Sequence, residues 1–134
     1  MRSASCSCGA LRADIADTAP VVVACHCLDC QRRTGSPFGV VAYYPAGAVT
    51  IKGQSREFAR PAASGGKFRS CFCPDCGSSV FFKTDKHPDS VGIAVGAFAD
   101  PEFPAPIRSV WERSMHRWAA ITSAAQHFER GRTS

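Results

Sequence analysis

Eight cysteines gathered into three tight clusters constrain this chain more than any other feature: Cys6 and Cys8, then Cys25, Cys27 and Cys30, then Cys71, Cys73 and Cys76. They make up only about 6% of the residues, below the level that marks a disulfide scaffold. Thiols this close in sequence converge on a metal more readily than they cross-link distant loops. At 134 residues the chain is one domain's worth, large enough to bury a core without disulfides. The expectation is a single zinc-binding domain over 1–134, with a core at about 4–118 and a tail over 119–134.

Met1-Arg2-Ser3-Ala4-Ser5-Cys6 lacks the apolar stretch of a leader, and no later run approaches the roughly 18 apolar residues of a membrane span. The expected location is the cytoplasm, where thiols stay reduced and available to metal, and no membrane partner is expected. A formal charge of +5 invites a nucleic-acid partner, but that count treats cysteine as neutral. Seven thiolates around two Zn²⁺ lower it by three, to about +2. The remaining Arg and Lys are scattered rather than striped, so no nucleic-acid partner is expected either. Nothing in the pattern sets an oligomeric state.

Along the chain, Leu11, Ala13 and Ile15 alternate with Arg12 and Asp14 in a period of two, the mark of a half-buried strand. Val21-Val22-Val23-Ala24-Cys25 reads as a buried strand running into the central cluster. Gln31 to Pro37 reads as one short helical turn, stopped by Gly35 and Pro37. Short β-rich runs follow at 38–44, 49–51 and 57–59, with a surface loop at 62–66. Strands are expected at 79–82, 91–98 and 107–111, while 119–130 reads as either a short helix or an irregular tail. Helical periodicity is weak, so the fold class is mainly β, with zinc tying together turns that a small sheet could not hold alone.

Cysteine arithmetic allows two partitions, because a closed zinc takes four ligands and a catalytic one typically takes three plus water or substrate. Cys6 and Cys8 could join Cys73 and Cys76, leaving Cys25, Cys27 and Cys30 as an open centre. Alternatively they could join Cys27 and Cys30, giving Cys25 to the third cluster. Spacing alone does not choose.

Cys6-x-Cys-Gly, Cys25-His-Cys-x-x-Cys followed by Gln31-Arg-Arg-Thr-Gly, Phe72-Cys-Pro-x-Cys-Gly-Ser and Val95-Gly-Ala-Phe-Ala-Asp-Pro occur in order. Together they resemble the glutathione-dependent formaldehyde-activating enzyme family from about Cys6 to Trp118. The resemblance implies a β-tent fold of small packed antiparallel sheets with zinc knuckles. It also implies a structural zinc on Cys6, Cys8, Cys73 and Cys76 and a catalytic zinc on Cys25, Cys27 and Cys30. Cys71 departs from the family's pattern, and reads as a buried small hydrophobe or as an extra ligand that would close the second site.

The activity so implied is a carbon–sulfur lyase reaction in reverse, in which glutathione or a similar thiol condenses with formaldehyde or another small aldehyde. Arg32 and Arg33, just beyond the central cluster, are the candidates for binding glutathione carboxylates. Two other classes stay open: a non-catalytic zinc-stabilised protein-interaction module and a thiol redox protein using Cys27 and Cys30. The redox class expects a βαβ context that the pattern lacks. His26 reads as facing away from the ligands, His87 and His127 as solvated, Trp111 and Trp118 as core or as the wall of a pocket, and Asp29 and Asp75 as acceptors for knuckle N–H groups, with a general-acid role as the alternative for Asp29.

Overall fold

The computed structural model describes residues 1–132. Its strands are β1 (Arg2–Ser5), β2 (Arg12–Ile15), β3 (Val21–Cys25), β4 (Gly39–Pro45), β5 (Val49–Lys52), β6 (Arg56–Pro61), β7 (Lys67–Phe72), β8 (Ser79–Thr84), β9 (Ser90–Ala94), β10 (Arg108–Val110) and β11 (Gln126–His127). The one α-helix among the described residues, α1 (Leu28–Thr34), joins β3 to β4. The small sheet has the order β1-β2-β5, and the large one β11-β10-β3-β4-β9-β8-β7-β6. All pairings are antiparallel except those of β10, which runs parallel to both β3 and β11. The mainly β expectation is met.

Period-two alternation decides what each face of the large sheet does. Val22, Ala42 and Tyr44 point into a core shared with Ala4, Leu11, Ala13 and Ile15 of the small-sheet region and with Val80, Phe81, Val91 and Ile93. Their strand neighbours Val23, Cys25, Val41 and Tyr43 line a cleft on the opposite face. Val23 and Val41 are direct partners across the β3–β4 ladder.

Three local readings are corrected and one left open is decided. The helix begins at Leu28 rather than near Gln31, because the thiol of Cys27 serves as its N-cap, accepting from the backbone N–H of Cys30 at 3.3 Å. Its end is as expected: Gly35 adopts φ 70° and donates its N–H to Gln31. The run 91–98 is a strand only to Ala94. Val95–Phe98 then forms a 3₁₀ turn, and Phe98 stacks on Phe103 with centroids 4.5 Å apart. Over 119–130 there is no helix: β11 lies beside β10, and backbone N–H groups of Trp111, Glu112 and Arg113 bond carbonyls of 128–130. Trp118 is exposed rather than core, while Trp111 lines the cleft.

Candidate metal centres and the adjoining cleft

The first cluster is built by two reverse turns facing each other. Gly9 donates to Cys6 O at 3.1 Å with φ 82°, and Gly77 donates to Cys73 O at 2.9 Å with φ 79°. In each turn the glycine takes a left-handed conformation that a β-carbon would strain. Ser7 and Ser78 tie the turns together through two hydrogen bonds, Ser7 N–H to Ser78 Oγ at 3.2 Å and Ser78 Oγ to Ser7 Oγ at 3.1 Å. The Sγ atoms of Cys6, Cys8, Cys73 and Cys76 all lie within 4.8 Å of one another. Cys6 to Cys8 is 3.6 Å and Cys8 to Cys73 is 3.7 Å. A tetrahedron with Zn–S bonds of about 2.3 Å has S···S edges of about 3.8 Å, so this donor set fits zinc.

Cys25, Cys27 and Cys30 form a second group, again with every Sγ within 4.8 Å of the others. Cys25 ends β3, Cys27 caps α1 and Cys30 lies one turn into it, so a strand-to-helix junction brings the three together. The junction is pinned from several sides. His26 N–H bonds Val110 O at 3.0 Å, and His26 O accepts from Gln31 Nε2 at 3.0 Å and from Ser114 Oγ at 2.7 Å. The ring of His26 turns inward, with Nε2 on Ser109 Oγ at 3.0 Å, and takes no place in the thiol group. Cys71 is buried in the core beside Cys6 and Cys73, so the central group keeps three thiols among the described residues.

The ionisation of these thiols is uneven. Hydrogen bonds from Cys25 and Cys30, the Cys30 backbone N–H and the charge of Arg60 hold the Cys27 thiol down to about 2, against the opposing effect of burial. The Cys27 thiolate and the neighbouring Cys30 in turn push Cys25 far above the ordinary thiol range, and burial adds to this. Three thiolates this close repel one another, and a bound divalent cation would relieve that repulsion. That is the behaviour of a metal-binding donor set.

A cleft of about 920 Å³ opens directly onto these three cysteines. Its apolar wall includes Val23, Val41, Tyr43 and Phe68, and its cations are Arg60, Lys86, Arg113 and Arg132, against the carboxylate of Asp29 alone among the described residues. Arg60 lies 4.6 Å above the ring of Phe68 and pairs with Asp29 at 3.3 Å. Asp29 therefore serves a side chain and not a knuckle amide, since the Cys30 N–H is already taken by Cys27. Burial, followed by the nearby charges of Cys25 and Cys30, pushes the Tyr43 hydroxyl up to about 12.

Neither arginine expected at the substrate lines this cleft. Arg32 is solvent-exposed on α1. Arg33 turns under the helix, 4.4 Å over the Phe82 ring, with Nε and Nη2 buried and without hydrogen-bond partners. Sequence reasoning missed Arg60, Lys86, Arg113 and Arg132 because each comes from a separate segment, and no local pattern marks convergence. The glutathione-dependent formaldehyde-activating enzyme family model matches residues 1–114, which is most of the chain and carries all eight cysteines.

The chain belongs to this family.

A crystal structure of a Rhodobacter sphaeroides protein, a structural-genomics target, is similar with a TM-score of 0.55 and 19% identity, over 78% of this chain and 91% of that one. At that identity the likeness speaks for the fold alone. No curated protein matches the chain in sequence. The family match stops at residue 114, so Gly131 and Arg132, which complete one end of the cleft, lie beyond it.

Proposed function

We propose that this member of the formaldehyde-activating family is a zinc-dependent carbon–sulfur lyase-type enzyme that adds glutathione, or a similar anionic thiol, to an aldehyde. The observation that carries the reading is the three-thiol group of Cys25, Cys27 and Cys30 at the head of a basic cleft, with Cys71 held elsewhere in the core. Cys6, Cys8, Cys73 and Cys76 would hold a structural zinc, and Cys25, Cys27 and Cys30 a second one with a coordination position to spare. When bound there, zinc supplies Lewis acidity that lowers the pKa of an incoming thiol. The placement of Cys71 removes one of the two arrangements that would favour a protein-interaction module, a second site closed by that thiol; the other is a single zinc.

The remaining work falls to the chain itself. Arg60, Arg113 and Lys86 offer cationic partners for the thiol's carboxylates and so hold its sulfur against the cluster, the role that sequence placed on Arg32 and Arg33. Tyr43, kept protonated at neutral pH, can donate to the oxygen that gains charge as sulfur attacks the carbonyl. In the addition the C–S bond forms, the carbonyl π bond breaks, and the proton lost by sulfur ends on the new hydroxyl. No electrons leave the pair of reactants. The reduced thiols needed for metal accord with a cytoplasmic setting, and no helix is long and apolar enough to cross a membrane among the described residues.

A glutathione titration, by calorimetry, of zinc-loaded wild type against Cys27→Ser tests the reading. Saturable binding that needs zinc and is lost in Cys27→Ser is expected, together with faster formation of the S-hydroxymethyl adduct from formaldehyde. Binding that ignores both metal and Cys27 would falsify it.

A further inference from the structure

Formaldehyde brings a single carbon, and glutathione is a zwitterionic peptide whose charges suit the cationic rim of the cleft. Neither accounts for its floor. On the face of the large sheet that carries Cys25, Val23 lies two residues back along β3, and Val41 stands directly opposite it in the β4 ladder. Val110 of β10 stands directly opposite Cys25 itself. Phe68 and Tyr43 continue the same surface, Phe68 packing with Val41 and with Phe82 at 5.5 Å between ring centroids. The apolar strip therefore starts at the reacting end of the cleft. Covering it with a peptide's amides and carboxylates would leave those groups without partners.

Gly92 of β9 lies beneath the strip. A β-carbon there would come within 2.7 Å of Val41 Cγ1 and 3.1 Å of Tyr43 Cε1, so glycine lets both side chains lie low and leaves space above them. The volume of about 920 Å³ sits near the upper end of the roughly 300–1,000 Å³ range typical of small-molecule pockets. That is far more than a one-carbon electrophile needs.

We infer that the electrophile joined to the thiol is an apolar aldehyde with a carbon chain or ring, seated on Val23, Val41, Tyr43, Phe68 and Val110. The anionic thiol lies along Arg60 and Arg113. The inference rests on the thiol-plus-aldehyde reading above, and the chemistry is the same balanced addition. An adduct with one charged end and one apolar end matches a cleft with a basic rim and an apolar floor that meet at three cysteines.

Unreactive S-methyl-, S-butyl- and S-hexylglutathione, titrated calorimetrically into the zinc-loaded protein, test this without requiring turnover. Affinity is expected to rise about fourfold for each methylene, the factor given by burying one CH2. Val41→Trp fills the floor, and Ala62→Phe narrows the cleft from its rim in case the first variant does not fold; either is expected to flatten the series. The inference is overturned if S-hexylglutathione binds no tighter than S-methylglutathione, or if the chain-length gain survives in every folded variant. Zinc-independent glutathione binding would instead remove the reading of the metal centre, leaving the chain-length series to be judged by its own slope.

Discussion

Arg60 is the residue on which the cleft's charge most depends. Its guanidinium rests on Phe68, its carboxylate partner Asp29 is more than half exposed, and its field reaches Cys27. An arginine so placed can exchange an exposed partner for a substrate carboxylate at little cost, since an exposed ion pair contributes only about 0–1 kcal/mol. Arg60→Ala is expected to raise KM for glutathione about tenfold, the loss of one charge-assisted hydrogen bond, with bound zinc unchanged by elemental analysis. Arg32→Ala is expected to leave KM where it is, and a reversal of the two effects would return the role to α1. Arg33 differs from both: a β-carbon at Gly39 would come within 2.7 Å of its Nη2, so its buried cation fills a space that glycine leaves. It makes no hydrogen bond through Nε or Nη2, but its charge favours the thiolate of Cys30.

At the scale of elements, one close approach sets a metal-bearing turn and one pair of hydrogen bonds holds the tail. Gly53, just after β5, has φ 96°, and a β-carbon there would come within 1.9 Å of Ala10 O, in the turn that carries Cys6 and Cys8. Gly53→Ala is expected to cost about 3 kcal/mol through strain and overpacking, read as a lower urea midpoint, and to weaken metal retention at the four-cysteine cluster first. The tail is held by His127, whose Nδ1 meets Glu112 Oε2 at 2.7 Å while Nε2 meets Ala124 O at 3.0 Å. Only an imidazolium donates from both nitrogens, and the Glu112 hydrogen bond raises the His127 pKa. With the folded pKa above the unfolded value of about 6.5, the stabilisation is complete below that value and is lost as pH rises through the folded pKa. Hydrogen exchange at the amides of 124–130 is expected to quicken over that rise in wild type, once the intrinsic pH dependence of exchange is removed. In His127→Gln it should be equally fast at all pH values.

For the molecule as a whole, the two cysteine groups have different consequences. Cys6 and Cys8 lie between β1 and β2 of the small sheet, while Cys73 and Cys76 lie between β7 and β8 of the large one. A metal on these four therefore ties the sheets together across a long stretch of chain. The central three come from one segment of six residues and close almost no loop. Cys73→Ser is expected to lower Tm by well over 10 °C or to prevent folding, whereas Cys27→Ser should shift Tm by only a few degrees while abolishing thiol binding. Differential scanning calorimetry on zinc-loaded samples separates the two, and equal losses would mean that both centres are structural.

The cysteine clusters, the run of valines before Cys25 and the scarcity of helical periodicity were enough to read a mainly β metal-binding chain, while thiol spacing left two partitions of the ligands open and only the family resemblance chose between them. These are local properties: thiol spacing and period-two alternation act over a few residues. Even there the sequence misjudged the start of α1, because a thiol served as the cap, and the end of β9, because Val95–Phe98 turned away. What only the tertiary structure decided is everything that depends on distant segments meeting. It placed Cys71 in the core, moved the cleft's positive charge from Arg32 and Arg33 to Arg60, Lys86, Arg113 and Arg132, and laid an apolar floor beside the central thiols. Those facts follow from the registers of β3 with β4 and β10 and from the way the β6–β7 hairpin sets Arg60 and Phe68 beside them, juxtapositions that leave no periodic mark in the residues they join.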